Sequence, residues 1–246
     1  MKLNCDLGES FGDWRMGLDD QVMPHIDLAN IACGFHASDP VHMEKTVQLA
    51  LAHGVTMGAH PGYPDLVGFG RRSMQCSEAE IRGLLIYQIA ALEGIARVQG
   101  GQLSYVKPHG ALYNDMMRSE SLLRIILATL ASYSSCLALV VQATADNKTR
   151  QAIADEYGIT LWFEAFADRA YDDQGLLVSR QQPGAVLEDT DEILARVQRL
   201  AAKGELVSQS GQVLQLRPDT LCVHGDNLAA VSLAREIRQV LDAISA

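Results

Sequence analysis

Residues 27–60, DLANIACGFHASDPVHMEKTVQLALAHGVTMGAH, hold one complete strand–helix–strand unit, and its punctuation decides the fold. Asp27–Ala32 is an apolar run of strand length. Asp39 then marks a helix start, because its carboxylate can accept from the free N–H groups of a first turn, and Pro40 stands where no N–H is needed. His53-Gly54 closes that helix and Val55–Ala59 begins the next strand. Each of the two strands runs at its carboxyl end into a histidine, His36 and His60.

The same alternation recurs outward from this unit. Lys2–Asp6, Leu103–Lys107, Leu137–Val141, Thr160–Glu164 and Thr220–Val223 read as further strands, making seven. Ser77 with Glu80 forms a capping box that opens a helix running to Gly100. Ser119 opens another, Thr144 one that ends at Gly158, Asp189 or Thr190 one that ends at Gly204, and Asp226-Asn227 the last. Only the link after the first strand lacks a long helix. Gly62–Cys76 and Ala170–Glu188 read as insertions, and Glu205–Pro218 as a small hairpin turning at Ser210-Gly211.

Repeated βα units imply a parallel sheet, closed into a barrel or open and doubly wound. Both place ligand sites at the carboxyl ends of strands, but an open sheet concentrates chemistry at one switch point. Here almost every strand runs into polar residues: Asp6 and Glu9, His36 and Asp39, His60 and Asp65, Lys107 and His109, Glu164 with Asp168 and Arg169, His224 with Asp226. A ring of strand ends around one mouth accounts for that distribution, so the sequence predicts a single α/β domain over 1–246, a seven-stranded (β/α) barrel.

With 246 residues and 48% apolar side chains, the chain can bury one core without metals or disulfides. Thirty acidic against 20 basic residues give a net charge of −10, and the lack of any Lys/Arg block disfavours nucleic acid or an anionic membrane as partner. The N-terminus meets Asp6 before reaching signal-peptide length, and no window approaches a membrane span, so a cytoplasmic protein is expected. The five cysteines never form C-x-x-C and are read as reduced, with Cys5 and Cys33 as inert buried thiols.

The polar ring carries the candidate chemistry. His36, His60, His109 and His224 occupy equivalent strand ends in separate units, whereas His25, His42 and His53 receive a structural reading. Asp6 and Glu9 are paired carboxylates, an arrangement that can drive two pKa values apart. Asp6 is expected as base with Glu9 nearby, and His36, His60 and His109 as proton donors or orienting groups. Lys107, Arg71 and Arg72 are expected to hold anions, and a desolvated Lys107 would alternatively serve as a base. The Gly68–Arg72 stretch, GFGRR, fits a cradle or a lid, and lacks both common nucleotide-binding spacings. Asn30, Glu164, Asp168, Arg169, His224 and Asp226 complete the expected substrate contacts. No H-x-x-x-H or H-E-x-x-H spacing occurs, so a metal is permitted but no ligand is assigned.

Seven blocks then carry a recognisable pattern: NCDLGESFG (4–12), ANIACGFHASDP (29–40), GAHPGYPD (58–65), GFGRR (68–72), VKPHGALYN (106–114), EAFADRAY (164–171) and CVHGDN (222–227). In this order they resemble the LamB/YcsF family, the A subunits of the bacterial ATP-dependent 5-oxoprolinase. One departure is Ser38, where the family usually has glycine. The resemblance implies a barrel of the glycoside hydrolase/deacetylase type and cleavage of 5-oxo-L-proline to L-glutamate. It further implies ATP as co-substrate, with Mg²⁺, and partner subunits B and C; a homo-oligomer is compatible with it. Two other readings remain open at this point, a metal-dependent amide hydrolase or deacetylase acting alone and a non-catalytic substrate-binding subunit. The motifs hold eight acids against four bases, so an anionic substrate entering this mouth needs cations to offset repulsion.

Overall fold

The computed structural model describes residues 1–245 other than 181, 224 and 226. Along the chain run β1 (Lys2–Leu7), a one-turn helix α1 (Asp19–Val22), β2 (Leu28–Ala32), α2 (Pro40–His53), β3 (Thr56–His60) and α3 (Glu78–Val98). β4 (Leu103–Val106) is followed by α4 (Gly110–Arg118) and α5 (Glu120–Tyr133), and β5 (Ala138–Gln142) by α6 (Asn147–Asp155). β6 (Leu161–Phe166), α7 (Thr190–Lys203), the short strands β7 (Glu205–Val207) and β8 (Val213–Gln215), β9 (Thr220–Val223) and α8 (Leu228–Ser245) complete the order.

β1, β2, β3, β4, β5, β6 and β9 close in that order into a barrel whose neighbouring strands are all parallel. The seven expected strands and the β7–β8 hairpin are all present. Asp39 accepts from the Val41 and His42 N–H groups, and Ser77 and Glu80 form the reciprocal capping box. Ser119 and Asp189 likewise cap α5 and α7. Two starts differ from expectation. Thr144 does not cap α6; the Asn147 side chain instead accepts from the Thr144 N–H at 2.8 Å and draws the start of the helix to Asn147. α4 was not anticipated, because it begins at a glycine with no side-chain cap among the described residues and so lacks a local start signal. Of the Asp226-Asn227 pair expected to open α8, Asn227 accepts from the Ala230 N–H at 3.0 Å, while residue 226 lies outside the described residues.

Period-two alternation gives the barrel two distinct faces. Leu3, Cys5, Leu7, Ala29, Ile31, Leu139 and Val141 point outward and join the apolar stripes of the helices in one large core. The inward face has a small apolar floor of Leu28, Tyr105, Ala138 and Val140, with Trp162 against it. Tyr105 can lie there because β3 presents Gly58, where a Cβ would come within 2.2 Å of the tyrosine ring. Above the floor the inward residues are polar, and they lead to the carboxyl-end mouth.

Candidate active site at the barrel mouth

A buried hydrogen-bond ladder rises from the floor. The Asn4 amide donates to Thr220 Oγ1 at 2.8 Å, and the Tyr105 hydroxyl to Asn30 Oδ1 at 2.7 Å. Asn30 Nδ2 in turn donates to Asn4 Oδ1 at 2.7 Å and to Asp6 Oδ1 at 2.8 Å. Asn30 thus aims the Asp6 carboxylate rather than standing as an independent ligand contact. Asp6 stands opposite Asn30, Asn30 opposite Gly58 and Gly58 opposite Tyr105, so the tyrosine reaches Asn30 across the bare glycine of β3.

Lys107, just past β4, reaches into this network. Its ammonium lies 2.7 Å from Glu164 Oε1, 3.0 Å from Asp6 Oδ1, and 3.2 Å from both Asn4 Oδ1 and Cys222 Sγ. Burial alone would lower its pKa, but the Asp6 and Glu164 carboxylates outweigh that and hold it well above the usual lysine range. The alternative of Lys107 as a base is therefore corrected: it is a fixed cation already neutralising two carboxylates of the protein. Burial raises the Asp6 carboxyl, yet His60 and Lys107 outweigh it and hold Asp6 well below the ordinary range. Burial pushes the Cys5 and Cys222 thiols far up and Cys33 to about 12, which keeps all three protonated near neutral pH.

Three histidines gather beside Asp6. His60 Nε2 is 3.3 Å from Asp6 Oδ2, and His109 Nδ1 is 3.0 Å from His60 Nε2. His36 lies flat on His109, with ring centroids 3.7 Å apart and planes 2° from parallel, and its Nε2 is 3.9 Å from Glu9 Oε1. All three rings are buried. Burial, with the neighbouring histidines, lowers His36 well below its ordinary value and His109 to about 3, so both are neutral at neutral pH. The insertion 62–76 roofs the group by backbone. A Cβ on Gly62 would meet His36 Nδ1 at 2.8 Å, and one on Gly70 would meet His36 Cβ at 2.7 Å and His109 Cδ2 at 2.8 Å. Ser38, the departure noted in the sequence, has φ 76°, a left-handed conformation that favours glycine.

The remaining expected residues divide. Arg71 stands over the Phe69 ring at 5.0 Å, near enough to the histidines to disfavour their protonation. Arg72 is engaged elsewhere: its guanidinium forks onto the Asp65 carboxylate, with Nε 3.0 Å from Oδ2. Arg169 is also engaged, donating to the carbonyls of Ala185 at 3.2 Å and Val178 at 2.7 Å, and so ties down the 170–187 segment. In this structure Arg72 thus ties its own loop to Asp65, as Arg169 ties down the 170–187 segment. Asp168 sits half-buried beside Arg169, and its carbonyl accepts from the Leu187 N–H. His224 and Asp226 lie outside the described residues. Asn4, Tyr105 and Cys222 were missed, although one signal marked them: each stands two residues from, or opposite, a chosen residue on the inward face of its strand.

Comparison with known proteins now bears on this mouth. The model of the LamB/YcsF family matches residues 1–246. The chain belongs to the LamB/YcsF family. Within it, the chain is 61% identical to a 5-oxoprolinase A subunit, numbered 2, of Pseudomonas putida over 98% of its own length and 94% of that protein's. It is 56% identical to the 5-oxoprolinase A subunit of Chromohalobacter salexigens, over 99% and 97% of the two chains. Among solved structures, a lactam utilization protein from Thermus thermophilus superposes with a TM-score of 0.90 at 38% identity, covering 99% of this chain and 96% of that one. The LamB/YcsF barrel seen here is therefore one already met in a crystal.

Proposed function

We propose that this chain is the A subunit of an ATP-dependent 5-oxoprolinase, opening 5-oxo-L-proline to L-glutamate together with partner subunits B and C in the cytoplasm. The observation that carries the reading is identity of 52 to 61% with relatives named for this subunit over nearly the whole chain. The mouth supplies a chemistry that fits. A five-membered lactam is an unreactive amide; phosphorylating its oxygen with ATP would make the ring carbon electrophilic and give phosphate as a leaving group. Water then attacks that carbon, and the ring C–N bond breaks as the nitrogen takes up a proton, leaving γ-glutamyl phosphate, which a second water hydrolyses to glutamate and phosphate.

In this proposal His36, His60 and His109 orient the attacking water and the departing nitrogen, His36 and His109 as neutral imidazoles. Asp6 is the fixed anion that anchors His60 and Lys107, and its depressed pKa makes it a hydrogen-bond acceptor rather than a strong base. Arg71 is the cation offered to the substrate carboxylate, and Mg²⁺ accompanies the ATP phosphates. The reading is tested by a glutamate-forming assay on 5-oxo-L-proline, run with this chain alone and then with subunits B and C. Glutamate release that needs ATP and all three subunits is expected. ATP-independent release by the chain alone would replace the reading with a stand-alone amide hydrolase, and none from the complete set would overturn it.

A further inference from the structure

Two carbonyl groups settle where the ring protons of the inner histidines lie. His60 Nδ1 is 2.6 Å from the Lys107 carbonyl oxygen and His109 Nε2 is 2.8 Å from that of Phe69. A carbonyl only accepts, so each of these nitrogens carries its ring's N–H. The nitrogens left to present a lone pair, His60 Nε2 and His109 Nδ1, face each other at 3.0 Å. Lone pairs at that separation repel unless something positive stands beside both. Asp6 Oδ2 lies 3.3 Å from the same His60 nitrogen and adds an anionic oxygen.

A second observation points the same way. His36 is 1% exposed, and neither of its ring nitrogens has a hydrogen-bond partner among the described residues, which is costly for a buried imidazole. One ligand atom from each of Glu9, His36, His60 and His109 lies within 4.8 Å of the others. An N–H held by a backbone carbonyl is also the outer-shell contact that orients metal-bound imidazoles. Imidazole with carboxylate suits Zn²⁺ and its first-row neighbours rather than Ca²⁺ or Mg²⁺.

We propose that this cluster is a divalent transition-metal site, with His60 Nε2 and His109 Nδ1 as its fixed ligands and Asp6, Glu9 and His36 completing it. The ligands are unequal. His36 is stacked parallel on His109, so both rings cannot aim their in-plane lone pairs at one ion until His36 tilts out of the stack. Losing His60 or His109 therefore removes the site, whereas losing His36 weakens it.

The purified full chain, loaded with Zn²⁺ or Co²⁺ and desalted, is analysed for metal by mass spectrometry and, with Co²⁺, for its visible spectrum. About one ion per chain and the d–d bands of a nitrogen- and oxygen-ligated Co²⁺ are expected. His60→Ala and His109→Ala should each weaken binding by at least about 100-fold and His36→Ala by roughly 10-fold. Should a buried variant fail to fold, the wild-type chain and the less buried Glu9→Gln variant decide the matter: Zn²⁺ raises the wild-type Tm by several degrees and Glu9→Gln diminishes the rise. Absence of retained metal together with no Tm rise for Zn²⁺, Co²⁺ or Mn²⁺, or binding unchanged in a folded His109→Ala chain, overturns the proposal. None of these readouts involves lactam cleavage, so they stand apart from the assignment of the reaction.

Discussion

Replacing Lys107 by methionine keeps the length of the side chain and removes the ammonium that pairs with both Asp6 and Glu164. At contacts of 3.0 and 2.7 Å, and with an effective dielectric near ~20, each attraction is worth about 6 kcal/mol gross. Desolvating the three buried groups offsets most of that, so the expected quantity is the cost of leaving buried carboxylates unpaired, about 3 to 5 kcal/mol. For a chain of this size that is a fall in Tm of about 10 °C. Urea unfolding of wild type and Lys107→Met, at pH 8 and at pH 5, measures it. Without the ammonium the folded-state carboxyl pKa values rise above their unfolded values. The variant therefore gains relative stability as protons bind, and its deficit should narrow towards pH 5. Adding Glu164→Gln to Lys107→Met should recover part of the loss, because it removes a buried charge. A deficit under about 1 kcal/mol, or one equal at both pH values, would refute the view that Lys107 acts as the internal counter-charge.

Ser38→Gly should change stability by less than about 1 kcal/mol and in the stabilising direction, because relief of the left-handed strain at φ 76° is partly offset by the flexibility of glycine; a lowered urea midpoint would contradict this. Gly70→Ala places a methyl group against His36 and His109 at a residue with φ +61°, and should cost about 1 to 3 kcal/mol and at least tenfold in turnover. Thermal melts and glutamate release by the complete complex read the two effects. Asp39→Ala removes the acceptor for the Gly12, Val41 and His42 N–H groups and should cost about 1 to 2 kcal/mol near neutral pH. Burial raises the Asp39 carboxyl, but those hydrogen bonds lower it overall, so its contribution is complete above its unfolded pKa and is lost as pH falls through the folded one. The acid-unfolding curves of variant and wild type should accordingly converge at low pH.

The strands and most helix starts were legible because they rest on local chemistry. Asp39-Pro40 and Ser77 with Glu80 name their own helices, and polar residues placed just past apolar runs announce a ring of strand ends. α4 was not legible, since Gly110 offers no cap and the helix is held by what surrounds it: the Ala111 N–H donates to the Gly70 carbonyl across the fold. The catalytic candidates Asp6, His60 and His109 could be named from their positions, yet what each faces could not. Whether an arginine meets a ligand or a neighbouring loop is set by tertiary packing, and Arg72 and Arg169 found Asp65 and backbone carbonyls instead. Asn4 and Tyr105 were overlooked because a polar residue within a strand reads as ordinary until the barrel closes and turns it inward.

The central claim is that the polar ring at the barrel mouth performs lactam opening in a three-subunit enzyme, and Asp6 is its hub, joined to Asn30, His60 and Lys107. The most direct measurement is ATP-dependent glutamate formation from 5-oxo-L-proline by the assembled complex containing Asp6→Asn in place of the wild-type chain. Turnover should fall at least about 100-fold while the complex still assembles. Full turnover by that complex would contradict the account.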